Sequence, residues 1–175
     1  MHGWAKVDIR QQLRRRVWLK LILAMFCFAG STAWADELFS PMLTLRMGDR
    51  VIELEREEIA ALPQAHVSTG TALHPDSIDW EGPLMRDVLN LLDVPADEVV
   101  PVRITSWDDY KVEFTSEDFN RWDVILAWRA NGSELTVEEL GPLRVIYPLD
   151  QFEELRDQRF HYRWVWLLSS IEVMQ

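Results

Sequence analysis

The 175-residue chain carries 18 basic against 29 acidic residues, a net charge of −11, and one cysteine. So acidic a chain excludes nucleic acid, which needs a basic face, and anionic membrane surfaces as partners. A lone cysteine excludes an internal disulfide, and the charge itself serves solubility.

The chain opens with a basic stretch containing Lys6, Arg10, Arg14, Arg15, Arg16 and Lys20. An apolar run from Leu21 to Ala29 follows, and Ala33-Trp34-Ala35 is a small-x-small cleavage site. This pattern predicts an export signal over residues 1–35, a mature start at Asp36 and a periplasmic location. The alternative is a membrane anchor, but the run falls well short of the roughly 20 residues a spanning helix needs. No stable membrane insertion is expected after cleavage. Arg15-Arg16-Val17-Trp18-Leu19-Lys20 is similar to a twin-arginine export motif, which would mean transport in the folded state. Triple arginines also occur in ordinary signals, which leaves two export routes. Cleavage takes away 6 basic residues, one acidic residue and Cys27, leaving 140 residues with a charge of −16. Thiolate metal sites and cysteine nucleophiles are thereby excluded from the mature part. Its length suits one domain with a single core, residues 36–175.

Leu43 to Met47 and Val51 to Leu54 read as two short strands around a tight Gly48-Asp49-Arg50 turn. Glu55 to Leu62 reads as one or two helical turns, acidic at the start and stopped by Pro63. His66 to Ala72 is expected to be a strand running into a loop from His74 to Asp79. Gly82-Pro83 then starts a helix, with Leu84, Val88, Leu91 and Leu92 at helical spacing. Val99 to Ser106 and Tyr110 to Phe114 are the next strands, joined by Trp107-Asp108-Asp109. Ser116 is placed to cap a short helix running through Phe119.

Val124 to Ala127 is apolar, and Asn131-Gly132 after it is the strongest hairpin signal in the chain, since both central turn residues need φ > 0. This predicts a strand from Val124 to Ala130 paired with a polar return. Leu143 to Tyr147 then reads as a mostly buried strand between Pro142 and Pro148. A short helix over Asp150 to Gln158 and a last strand from Trp164 to Val173 complete the chain, with Trp164 and Trp166 on one strand face. Strands and short helices in mixed order, with hairpins, predict an α+β fold with antiparallel or mixed sheets.

Four of these stretches carry a resemblance: Trp80-Glu81-Gly82-Pro83-Leu84, Trp107 to Val112, Gly141-Pro142-Leu143-Arg144-Val145-Ile146-Tyr147-Pro148, and Trp164 to Val173. In this order they resemble the sulfite-oxidase-type molybdopterin-binding domain family, over roughly residues 43–173. The resemblance implies a molybdopterin-binding fold and, in the enzymes of the family, a cysteine thiolate on molybdenum in the segment that matches His66 to Leu73. Here that segment offers Ser68, Thr69 and Thr71. A hydroxyl titrates far above a thiol and is a poor ligand for a soft metal at neutral pH. The enzymes also commonly hold the cofactor phosphate with a lysine that Trp166 replaces here. No cofactor is therefore expected, molybdopterin being the one the resemblance would supply.

Three functions follow. The first is a non-catalytic exported module for a small ligand or a periplasmic protein partner, in an accessory or sensing role. The second is a molybdopterin-dependent oxidoreductase with non-cysteine attachment. The third is a carbohydrate-binding module, motivated by the six tryptophans of the mature part. For the first, the candidate pocket comprises Ser68, Thr69, Thr71, His74, Arg144 and Trp166. It offers hydroxyls, one imidazole and the planar fork of Arg144. Against this stand an ion pair between Arg144 and one of the many acids, and a pocket filled by Trp166. His66, His74 and His161 sit at no metal-ligand spacing, and no metal site is expected. Most tryptophans, and Tyr110 and Tyr147, are expected in the core with tyrosine hydroxyls at its rim; Trp107 is the most exposed candidate.

Overall fold

The computed structural model describes residues 40–71, 75–95 and 97–174, which fall in the compact unit Ser40–Gln175. The expected export segment, its expected cleavage site and His74 lie outside these residues. No helix among the described residues is long and apolar enough to cross a membrane.

Eleven strands form three sheets among the described residues. The largest runs in the order β2-β1-β11-β5-β6. It joins β1 (Leu43–Met47), β2 (Arg50–Leu54), β5 (Pro101–Ser106), β6 (Lys111–Thr115) and β11 (Leu168–Val173). Its alternation is plain: Leu43 and Leu45, Val102 and Ile104, Val112 and Phe114 are buried while the strand residues between them are not. The closing strand β11 lies between β1, which it meets in parallel, and β5, which it meets antiparallel. A bulge between Leu168 and Ser170 resets its period, so Leu168 and Ile171 both reach the core three positions apart.

The second sheet runs β3-β4-β8-β9, from β3 (Gln64–Thr69), β4 (Ile78–Pro83), β8 (Arg129–Ala130) and β9 (Ser133–Glu134). The third pairs β7 (Ile125–Ala127) with β10 (Arg144–Ile146), both wholly buried. Helices Arg56–Ala61, Met85–Asn90 and Ser116–Arg121 and two 3-10 segments, Glu153–Arg156 and Gln158–Arg163, connect the sheets. The α+β expectation holds.

Several local expectations are corrected. The Trp80-Glu81-Gly82-Pro83 segment is strand β4, and its helix starts only at Met85. Tertiary pairing overrides the helical start signal: β4 lies between β3 and β8, and Gly82 brings its backbone against Leu126 and Ala127. Ser116 is not a cap. Its hydroxyl donates to the Glu98 carbonyl at 2.9 Å and accepts from Val100 N at 3.0 Å, while Thr115 takes the cap position. The last strand begins four residues later than expected, at Leu168. Trp164 is buried and Trp166 is 36% exposed, so they share no face. Tyr110 is exposed at 48%, and Tyr147 is buried with its hydroxyl sealed and unpaired, so neither places a hydroxyl at the rim of the core.

The Asn131-Gly132 turn has φ of 50° and 78°, the two positive values of a primed hairpin turn. Its arms are only β8 and β9; the apolar run before it pairs with β10 and not with the return. A Cβ on Gly132 would meet nothing within 4 Å, so any cost of substitution is conformational. Gly132→Val is expected to lose about 1 kcal/mol in urea denaturation, because a β-branched residue resists φ > 0. A loss below roughly 0.5 kcal/mol would argue against the turn.

Candidate functional site

The end of β3 and the start of β10 converge on Trp80. Strand alternation turns Ser68 outward and Thr69 inward. Thr69 is fully buried; its hydroxyl accepts from Asp150 N at 3.2 Å and its carbonyl accepts from the Trp80 indole at 3.1 Å. The Asp150 carboxylate receives Gly70 N at 3.1 Å and Arg156 at 3.3 Å. Thr71 continues this buried edge.

Arg144 lies over the other side of this arrangement. Its guanidinium carbon sits 4.8 Å from the centroid of Trp80. The side chain is 6% exposed and donates to the Glu139 carbonyl at 3.3 Å. No carboxylate among the described residues pairs with it. Burial pushes its pKa below the ordinary arginine value, yet a guanidinium stays charged at neutral pH. A buried cation without a counter-ion is costly, and stacking on an aromatic face returns only about 2 kcal/mol. The remaining N–H groups of the fork make no hydrogen bond among the described residues and are not sealed from solvent. Arg129 makes the contrast: it also stacks on a tryptophan, Trp128, at 5.4 Å, but Glu81 neutralises it at 3.1 Å.

Of the six pocket candidates, Thr69, Thr71 and Arg144 are buried. Thr69 and Arg144 meet through Trp80. Ser68 is exposed on the opposite face of β3, 3.4 Å from Asp79, and Trp166 is on the surface. His74 is outside the described residues. The alternative, an ion pair of Arg144 with an acid, is absent among those residues. Sequence reading missed Trp80 as a platform and Asp150 as a brace. Trp80 would have been found had Ile78–Pro83 been read as a strand; Asp150, 81 residues from Thr69, leaves no local signal.

A second buried group lies apart. Tyr147 packs against Trp122 and Trp164, with ring centroids 6.1 and 6.5 Å away. Burial raises its pKa well above the usual tyrosine value. Beside it Arg163 and Asp118 pair at 2.5 Å, and desolvation lifts the Asp118 pKa despite that cation. The folded pKa therefore exceeds the unfolded one. Asp118's contribution is fully present below the usual carboxylate range, about pH 4, and is lost as pH rises through the raised folded value. Asp118→Asn is expected to remove this decline from a plot of Tm against pH; an unchanged slope would refute the assignment.

Surface cavities of about 440, 320 and 430 Å³ are bounded by described residues. None of these three touches Thr69 or Arg144. Among the described residues, no three or more His, Cys, Asp or Glu residues are grouped to hold a metal.

No curated protein sequence matches the chain. Among solved structures, the sulfane dehydrogenase SoxCD from Paracoccus pantotrophus is similar, with a TM-score of 0.55 and 16% identity over 75% of this chain. The chain spans 37% of the matched chain of that protein, and at this identity the likeness shows the fold. The model of the oxidoreductase molybdopterin binding domain matches residues 48–174. With most of its length covered by that match, the chain belongs to the oxidoreductase molybdopterin binding domain family.

Proposed function

We propose that this protein is an exported, non-catalytic member of its family that holds a small anionic ligand on Arg144. The single observation that carries the reading is a guanidinium 6% exposed, stacked on Trp80, with no carboxylate partner among the described residues. Such a cation in a low-dielectric setting favours a planar anion that two of its N–H groups can grip. The Thr69–Asp150–Gly70 bonds hold the neighbouring backbone rigid, which spares a ligand the cost of ordering it.

The residues present do not fit thiolate attachment of a molybdenum cofactor. The segment that resembles the attachment site has Thr69, whose hydroxyl already accepts from Asp150 N, and Ser68, which faces away toward Asp79. Trp166, at the position of a phosphate-holding lysine in the resembling enzymes, brings no charge. No reaction step is assigned to this site. The oxidoreductase reading with non-cysteine attachment makes a different forecast, stoichiometric molybdenum in protein from its native compartment. Elemental analysis separates the two.

The direct test is a thermal-shift screen of the full chain against small carboxylates, sulfate and phosphate, followed by calorimetry on the hits. We expect one class of anion to raise Tm, and Arg144→Met to abolish the effect while keeping the folded circular dichroism spectrum. Equal binding by the variant would end this role for Arg144. Export is tested separately: N-terminal sequencing is expected to start at Asp36, and a full-length membrane-bound product would overturn it.

A further inference from the structure

One face of the five-stranded sheet carries a cavity apart from Arg144. Thr44 on β1, Ser170 on β11 and Thr105 on β5 stand in register across three adjacent strands. Each is half-buried, and none of the three hydroxyls makes a hydrogen bond among the described residues. They floor a cavity of about 320 Å³ that is also lined by Arg46, Trp107 and Asp109. That volume lies at the small end of ligand pockets, about 300–1,000 Å³.

The walls differ chemically. Trp107 is 42% exposed, whereas four of the other described tryptophans are buried. Its backbone N–H is tied to the Leu167 carbonyl at 2.8 Å, which fixes the base of the side chain at the cavity edge. Arg46 is exposed and has no ion-pair partner among the described residues. Asp109 holds φ of 64°, a left-handed conformation kept by a bond from its N–H to the Ser106 carbonyl at 3.1 Å. Asp108 braces the same turn: its carboxylate accepts from the Ser106 hydroxyl and, at 3.4 Å, from Tyr110 N. The bulge at Ser169, whose hydroxyl donates to the Thr105 carbonyl at 3.0 Å, twists β11 here.

An aromatic wall suits an apolar ring face, and a row of hydroxyls with one cation and one carboxylate suits many ligand hydroxyls. An apolar peptide would leave the hydroxyl row unpaired, and a multiply charged anion would meet Asp109. We propose that this cavity binds a hydroxyl-rich pyranose ring, stacked on Trp107 and hydrogen-bonded by Thr44, Ser170, Thr105, Arg46 and Asp109. The proposal does not rest on the anion site at Arg144.

The test is a glycan array of neutral and acidic sugars probed with the full chain, then titration of each hit by tryptophan fluorescence. We expect at least one glycan to be retained and to shift the emission. Trp107→Ala should weaken its binding at least tenfold with the folded near-ultraviolet spectrum kept. Thr44→Val, which puts a methyl group in place of a floor hydroxyl, should also weaken it. Anion binding at Arg144 should be unchanged in both variants, so failure of one site is distinguishable from failure of the other. An array with no retained glycan, or a hit bound equally by Trp107→Ala, would overturn the proposal.

Discussion

Gly82→Ala is expected to be the most damaging single methyl group that can be added to this protein, at about 3 kcal/mol or more. A Cβ there would stand 2.0 Å from the Leu126 carbonyl oxygen, 2.6 Å from its carbon and 2.8 Å from Ala127 Cα. All three are backbone atoms, so no rotamer change can relieve the overlap. Either β4 or β7 must move, and each is anchored on both sides. Leu84 bridges Ile125, and Met85 N donates to the Val124 carbonyl at 2.9 Å. β7 in turn sets β10, where Ala127 faces Arg144. The damage should therefore reach the proposed anion site as well as the fold. Urea denaturation is the measurement, with the shift in midpoint converted through the slope. A loss below about 1 kcal/mol would mean that the two strands are farther apart than described.

Arg144→Met should act in the opposite direction on stability. The substitution keeps an unbranched stem of similar reach and removes a buried charge. Replacing buried charged groups by packed apolar ones is often stabilising by about 1–4 kcal/mol. Here no ion pair is lost among the described residues, only one bond to the Glu139 carbonyl and the contact with Trp80. We expect a net gain of about 1 kcal/mol or more together with loss of anion binding. A residue that costs stability and supplies binding is one kept for function. Should Arg144→Met instead destabilise by several kcal/mol, Arg144 would be a structural element and the proposed role would fall.

What was legible in the sequence was what short-range physics dictates. The turn at Gly48-Asp49 and the one at Asn131-Gly132 follow from backbone angles that only a few residues accept. The alternation in β1, β5 and β6 follows from a sheet with one face on the core. The first helix, stopped before Pro63, and the family resemblance belong to the same kind of information. So does the absence of a thiol from residues 36–175, which is a matter of composition.

The tertiary structure decided the rest, because it depends on partners far along the chain. Whether Gly82-Pro83 starts a helix or lies in a strand turned on β3 and β8, which flank β4. Ser116 had the composition of a cap, but a carbonyl 18 residues away accepts its hydroxyl hydrogen. Val124 to Ala127 is an apolar run that could pair with any neighbour; β10 took it, leaving the hairpin two short arms. Trp164 and Trp166 were expected on one strand face, but the strand begins only at Leu168, after a positive φ at Leu167. Arg144 shows the limit most clearly. Its sequence position foretold burial, since apolar residues surround it, but the charge that would neutralise it could have come from any of the 28 acids in residues 36–175. Only the folded arrangement leaves Arg144 without one among the described residues, because ion pairing depends on separations of a few ångströms between residues that the chain order holds far apart.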